Sequence, residues 1–145
     1  MNFSAGLRTV LPSSSARPGR GIVSVVFLAL LYTLLNAVKP LHVDDGAYYE
    51  FARHLAAHPL DPYGFQIFWY QYPEPANYVL APPVLPYWWA AAYAVVGEHP
   101  FWWKVWLFPF ALLFVGSVHV LFRRCARGLE GPLVWMTVLS PTFLP

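Results

Sequence analysis

The chain has 145 residues, of which 58% are hydrophobic and 11% charged, and its net charge is +2. Soluble domains average about 45–50% apolar and about a quarter charged, so this composition leaves too little charged surface to cover a water-soluble globule. The small net charge also excludes nucleic-acid binding driven by charge alone.

Residues 1–20 carry Ser, Gly, Pro and Arg without hydrophobic periodicity and read as a disordered tail. Residues 21–38 form an uncharged run rich in Val, Leu and Ala. It is longer than the hydrophobic region of a signal peptide and has a poor cleavage site, so it reads as an uncleaved membrane anchor. Asp44 and Asp45 follow, and an Asp in front of a helix is a good cap for its free N–H groups. Beyond them Tyr48, Phe51 and Leu55 recur at helical spacing on one face, with Glu50, Arg53 and His54 elsewhere. That helix is expected to end near His58, because Pro59 disfavours helical geometry in its predecessor.

Residues 59–83 are dense in Pro and aromatics and read as an ordered but irregular loop. Tyr63, Phe65, Phe68, Trp69, Tyr70, Tyr72 and Tyr78 could anchor it to a lipid interface or offer flat faces to sugar rings. Residues 84–96 form an apolar helix with Pro86 in the first turn and Gly97 as its stop. Its thirteen residues reach about 20 Å, short of a ~30 Å hydrocarbon core, so it is expected to lie at the membrane surface. Residues 101–122 are long enough to span, with Trp102, Trp103 and Trp106 as an aromatic belt at one end and Arg123 and Arg124 anchoring the other.

Charge fixes the expected topology. Arg8, Arg17 and Arg20 precede the first run, and Arg123, Arg124 and Arg127 follow the last. If residues 84–96 do not cross, both clusters lie on the cytoplasmic side, as the positive-inside rule prefers. The expected fold is therefore all-α, a multi-pass transmembrane helical protein. Spans at 21–38 and 101–122 flank an external loop, 39–100, that bears two juxtamembrane helices. A further apolar segment at 131–145 opens a third span but stops short of the ~20 residues needed to cross, which reads as the truncated N-terminal piece of a longer polypeptide.

Asp44 and Asp45 are the leading candidates for chemistry. Adjacent carboxylates can share a divalent cation or set one base against a hydroxyl, and the helix N-terminus favours their charged form. A solvated cap is the plainer reading. Lys104 could bind a lipid phosphate or simply snorkel. His54 and His58 have a zinc-compatible spacing but lack a third ligand. His119 lies within the second run, close to its basic end. The single Cys125 is compatible with palmitoylation but reads as inert. There is no phosphate loop, nucleophile elbow, zinc signature or internal repeat.

The segments His-Val-Asp-Asp-Gly-Ala-Tyr-Tyr (42–49), Phe-Ala-Arg-His-Leu (51–55) and Ala-Pro-Pro-Val-Leu-Pro-Tyr-Trp-Trp (81–89) resemble the N-terminal part of multi-pass GT-C glycosyltransferases. The closer likeness is to bacterial members similar to protein O-mannosyltransferases and aminoarabinose transferases. The Arg-Arg of 123–124 and the Leu-Ser-Pro of 139–141 extend it over roughly residues 21–145.

The resemblance implies transfer of a sugar from a polyprenyl-phosphate donor to an acceptor on the external face of the cell membrane. One first-loop Asp would activate the acceptor hydroxyl or help hold a metal, and no metal is required by the sequence itself. Counting back from Arg53 gives that role to Asp44, and aligning the tyrosine pair gives it to Asp45, with Asp44 slightly ahead. Tyr48, Tyr49 and Lys104 are the implied substrate contacts. The competing reading is a non-catalytic membrane protein or a transporter fragment.

Overall fold

A computed structural model describes residues 18–41, 43–79 and 83–141. Helix α1 runs from Pro18 to Ala37. Proline suits a first helical position because its missing N–H has no intrahelical partner there in any case. The expected tail is thus shorter than 1–20, and its residues 1–17 lie outside the described ones. Helix α1 ends before Val38 in a turn ahead of Pro40, with the Val38 N–H on Leu34 O and the Lys39 N–H on Asn36 O.

Helix α2, Val43–Ala57, buries Phe51 and Leu55 and leaves Glu50 and Arg53 exposed, as the periodicity predicts. It starts two residues earlier than capping by Asp44 requires. Asp44 and Asp45 therefore occupy its first turn instead of preceding it.

The loop that follows is less irregular than its prolines suggest. Strands β1 (Gln66–Phe68) and β2 (Pro73–Pro75) pair antiparallel, with Ile67 opposite Glu74. The Ala76 N–H donates to Phe65 O, 3.1 Å, so hydrogen-bonded positions fall at 65/76 and 67/74. Pro73 and Pro75 take the alternate positions, where no inward N–H is needed. A short helix α3 (Ala76–Val79) follows. Ile67 and Ala76 pack with Ala47 and Phe51 of α2, and Tyr63, Phe65 and Trp69 close around them. Phe68, Tyr70, Tyr72 and Tyr78 remain exposed.

Helix α4 (Val84–Val96) has the predicted bounds. Gly97 stops it, donating its N–H to Tyr93 O at 2.8 Å with φ +68° and ψ −153°. Only glycine tolerates that region without strain. Gly97→Ala is expected to destabilise the fold by about 1–3 kcal/mol, read as a lowered denaturant midpoint in detergent. An unchanged midpoint would refute the strain argument.

The long apolar stretch after it is broken in two. Helix α5 (Pro100–Val105) and helix α6 (Phe108–Cys125) are joined by a turn at Trp106–Leu107. Pro109 causes the break, because it has no N–H to donate to the carbonyl four residues earlier and its ring crowds that carbonyl. The Leu107 and Phe110 N–H groups fall back on i−3 carbonyls, Lys104 O and Leu107 O. Trp106 O, the usual i−4 acceptor for Phe110, instead takes the indole N–H of Trp88 at 3.1 Å. A side chain from α4 thus fills the gap the proline opens.

Helix α7 (Glu130–Val138) begins where the third apolar segment was expected. Its nine residues end before Leu139, and Ser140 precedes Pro141 in the non-helical geometry a following proline favours.

Helices α1 and α6 pack antiparallel. Gly21 faces His119, Val25 faces Gly116, and Tyr32 meets Phe114 with ring centroids 6.0 Å apart. At the other end Lys104 of α5 reaches Lys39. The start of α1 and the end of α6 therefore lie at one end of the bundle. Helix α7 completes its core, formed by Leu28, Ala29, Ala111, Val115, Val134 and Val138. Helices α2, α4 and α5 form a cap at the other end, around Ala52, Trp89, Ala92 and Trp103.

The described residues are thus mostly helical, as expected of an all-α chain, with one small hairpin. Among the described residues only one stretch, Pro100–Cys125, is long and apolar enough to cross a bilayer, with 26 residues that include an 18-residue window of mean hydropathy 2.1. The apolar part of α1, Gly21–Ala37, is shorter than that stretch. The two expected spans are therefore not equivalent. Trp103 also departs from expectation. It is 2% exposed and belongs to the cap core, while Trp102 is exposed.

Candidate functional site

A cavity of about 750 Å³ lies between α1, α2, α4 and the α5–α6 segment. This is within the usual range for a small-molecule site. Its wall is apolar along Leu85, Trp88, Leu107, Phe110 and Phe114. Polar groups gather at one end, where Asn36, Lys39, Asp45, Tyr48 and Lys104 meet. A hydrocarbon surface leading to a single charged end is the complement of an amphiphile.

Register explains how the acidic pair divides. Successive helical residues point about 100° apart, so two adjacent carboxylates cannot both face one wall. Asp45 is half-buried and lines the cavity, while Asp44 is exposed and does not. Asp45 Oδ2 lies 3.7 Å from the Lys104 ammonium, and the two side chains are 26% and 12% exposed. Lys104 also donates to the carbonyls of Lys39 at 3.1 Å and Pro40 at 3.0 Å. Its charge therefore ties α5 to the corner between α1 and α2.

The two tyrosines also part. Tyr48 lines the cavity and sets its ring edge-on to Trp89, with centroids 6.0 Å apart. Tyr49 turns into the cap core and stacks on Trp103 at 4.6 Å. Burial, followed by the nearby Glu98 carboxylate and its hydrogen bond, raises the Tyr49 hydroxyl above its ordinary 10.0. A raised folded-state value favours the neutral phenol, so this stabilisation is complete below pH 10 and is lost as pH rises through the higher folded value. Difference titration of wild type against Tyr49→Phe should show one phenol ionising later than the exposed tyrosines. Ionisation in step with them would contradict this.

The remaining candidates fall outside the cavity. His54 sits with Nε2 2.7 Å from Asp61 O and its ring 5.0 Å from that of His58. Among the described residues no three His, Cys, Asp or Glu side chains are grouped to hold a metal ion. His119 is half-buried against Gly21 at the far end of the bundle, and Cys125 is exposed at the end of α6. His42, Ala81 and Pro82 lie outside the described residues.

Sequence reasoning missed Asn36, Lys39 and Trp89. Asn36 carried one usable signal, a polar side chain in the last turn of an apolar helix. Trp89 is buried and its indole N–H has no hydrogen-bond partner, although it lines the cavity. The chain matches no protein-family model, and comparison with curated proteins and with solved structures finds no match to either.

Proposed function

We propose that this chain is the N-terminal portion of a multi-pass integral membrane glycosyltransferase that moves a sugar from a polyprenyl-phosphate donor to an acceptor on the external face of the membrane. The observation that carries the reading is the half-buried Asp45 carboxylate beside Lys104, at the polar end of an otherwise apolar cavity. In the proposed reaction Asp45 accepts the proton of the acceptor hydroxyl as its oxygen forms a bond to the anomeric carbon. The bond from that carbon to the donor phosphate breaks, and polyprenyl phosphate leaves with the electron pair. Tyr48 and Asn36 flank the reacting groups.

Two features support a membrane setting with more than one crossing. Helix α1 is apolar and packs along α6, so whatever depth α6 reaches α1 must share. Its outward face presents Ile22, Val23, Phe27 and Leu30 to the surroundings, a surface that water does not favour. Antiparallel packing also supports a common cytoplasmic side for the start of α1 and for Arg123 and Arg124 at the end of α6, with the cap external. In a Cys125→Ser background, single cysteines at Arg20 and Arg127 should label from the same compartment and one at Tyr70 from the other. Labelling of Arg20 and Arg127 from different compartments would overturn this topology.

The activity itself is tested by supplying vesicles that contain the full chain with a labelled polyprenyl-phosphate sugar and following label into acceptor material. The absence of transfer across a panel of sugars would remove the reading. One observation favours a non-catalytic membrane protein instead. Lys104 ties α5 to Lys39, Pro40 and Asp45, and that tie would by itself fasten the cap to the bundle. In that case removing Asp45 would lower stability without altering any reaction.

A further inference from the structure

We propose that the two lysines at the cavity mouth divide a task that the sequence assigns to one: Lys39 binds the phosphate of an anionic amphiphile, and Lys104 is a positioning residue that fixes the corner carrying Asp45. The identity of the ligand rests on the transferase reading above.

Lys104 has three N–H donors and three internal acceptors within reach, Lys39 O, Pro40 O and Asp45 Oδ2. Little of its hydrogen-bonding capacity is left for a ligand, and its side chain is 12% exposed. Lys39 lines the same cavity and is half-buried, one residue before the corner at Pro40. Its backbone is held from both sides. Its N–H donates to Asn36 O at 3.3 Å, and its carbonyl accepts from Lys104. The ammonium of Lys39 therefore springs from a fixed point at the mouth.

Charge decides which head group fits. Lys39 and Lys104 each contribute one positive charge and Asp45 one negative charge, which leaves the mouth cationic by one unit. A phosphate offsets that excess and a neutral alcohol does not. Lys39 already has an interaction of its own, so the phosphate shares or displaces that contact. The chain of the ligand would lie along Leu85, Trp88, Phe110 and Phe114.

The test measures binding of farnesyl phosphate, farnesol and inorganic phosphate to the full chain in neutral-lipid nanodiscs. Wild type should prefer farnesyl phosphate over farnesol by about tenfold or more, a difference of about 1.4 kcal/mol. Lys39→Gln should erase that preference without changing farnesol affinity, and Lys39→Arg should restore it. Lys104→Met should weaken both amphiphiles, narrow the preference less than Lys39→Gln does, and raise amide exchange around residues 40–48. A preference that survives Lys39→Gln and disappears only in Lys104→Met would overturn the division of roles. Displacement of farnesyl phosphate by inorganic phosphate would mark a free-phosphate site and overturn the lipid assignment. A preference that behaves as expected in a protein without transfer activity would sink the transferase reading and leave this one standing.

Discussion

Asp45→Asn should slow sugar transfer by about 10²- to 10⁴-fold, the usual contribution of a positioned general base, while Asp44→Asn should leave the rate within about threefold. The contrast follows from register, because Asp45 lines the cavity beside Lys104 and Asp44 is exposed. Asparagine keeps the shape of the side chain and removes only its charge and basicity. Binding of the donor should therefore persist in Asp45→Asn, with the loss falling in kcat. Reversal of the two effects would place the base on Asp44 and detach the cavity from the chemistry. A collapse of thermal stability in Asp45→Asn, with no activity in wild type either, would leave only the fastening role of the pair.

The second large effect is on stability. Trp103→Ala should cost about 3–5 kcal/mol, the range for truncating a buried large aromatic. Trp103 is 2% exposed and stacks on Tyr49. Its ring also lies 5.8 Å from those of Trp89 and Tyr93, and its indole N–H donates to Gly97 O at 2.7 Å. One side chain thus joins α2, α4 and the turn that starts α5. Trp103→Phe keeps one of the two fused rings and loses the hydrogen bond, so it should cost less than Trp103→Ala but more than the roughly 1 kcal/mol of the hydrogen bond alone. Trp102, exposed and one residue away, serves as the control. If chemical denaturation finds Trp102→Ala and Trp103→Ala equally mild, the cap has no core at this point.

Legibility varied with how far each feature depends on distant parts of the chain. Helices α2 and α4 were readable because Tyr48, Phe51 and Leu55 repeat at helical spacing and because Pro86 and Gly97 punctuate locally. The hairpin was not readable. A Pro-Glu-Pro segment argues against a strand, and it serves as one here because both prolines fall at positions that need no inward N–H. The break at Trp106–Leu107 was signalled by Pro109, but its repair by Trp88 depends on a residue from another helix.

Within the site, Asp45, Tyr48 and Lys104 were singled out from sequence and do meet. Asp44, slightly preferred from sequence, and Tyr49 do not join them, because the start of α2 turns them elsewhere. The partners of Lys104 were invisible for a simpler reason. They include two backbone carbonyls, and a carbonyl leaves no mark in the amino-acid alphabet.

The strut from Lys104 to Lys39 O joins residues 65 apart in the chain. A contact of that span forms only after the whole intervening cap has been made and has closed on itself, and loop-closure entropy delays it further. During synthesis, therefore, Asp45 emerges early and waits without its cation until α5 arrives. The ion pair with Lys104 is therefore among the last contacts made at the cavity.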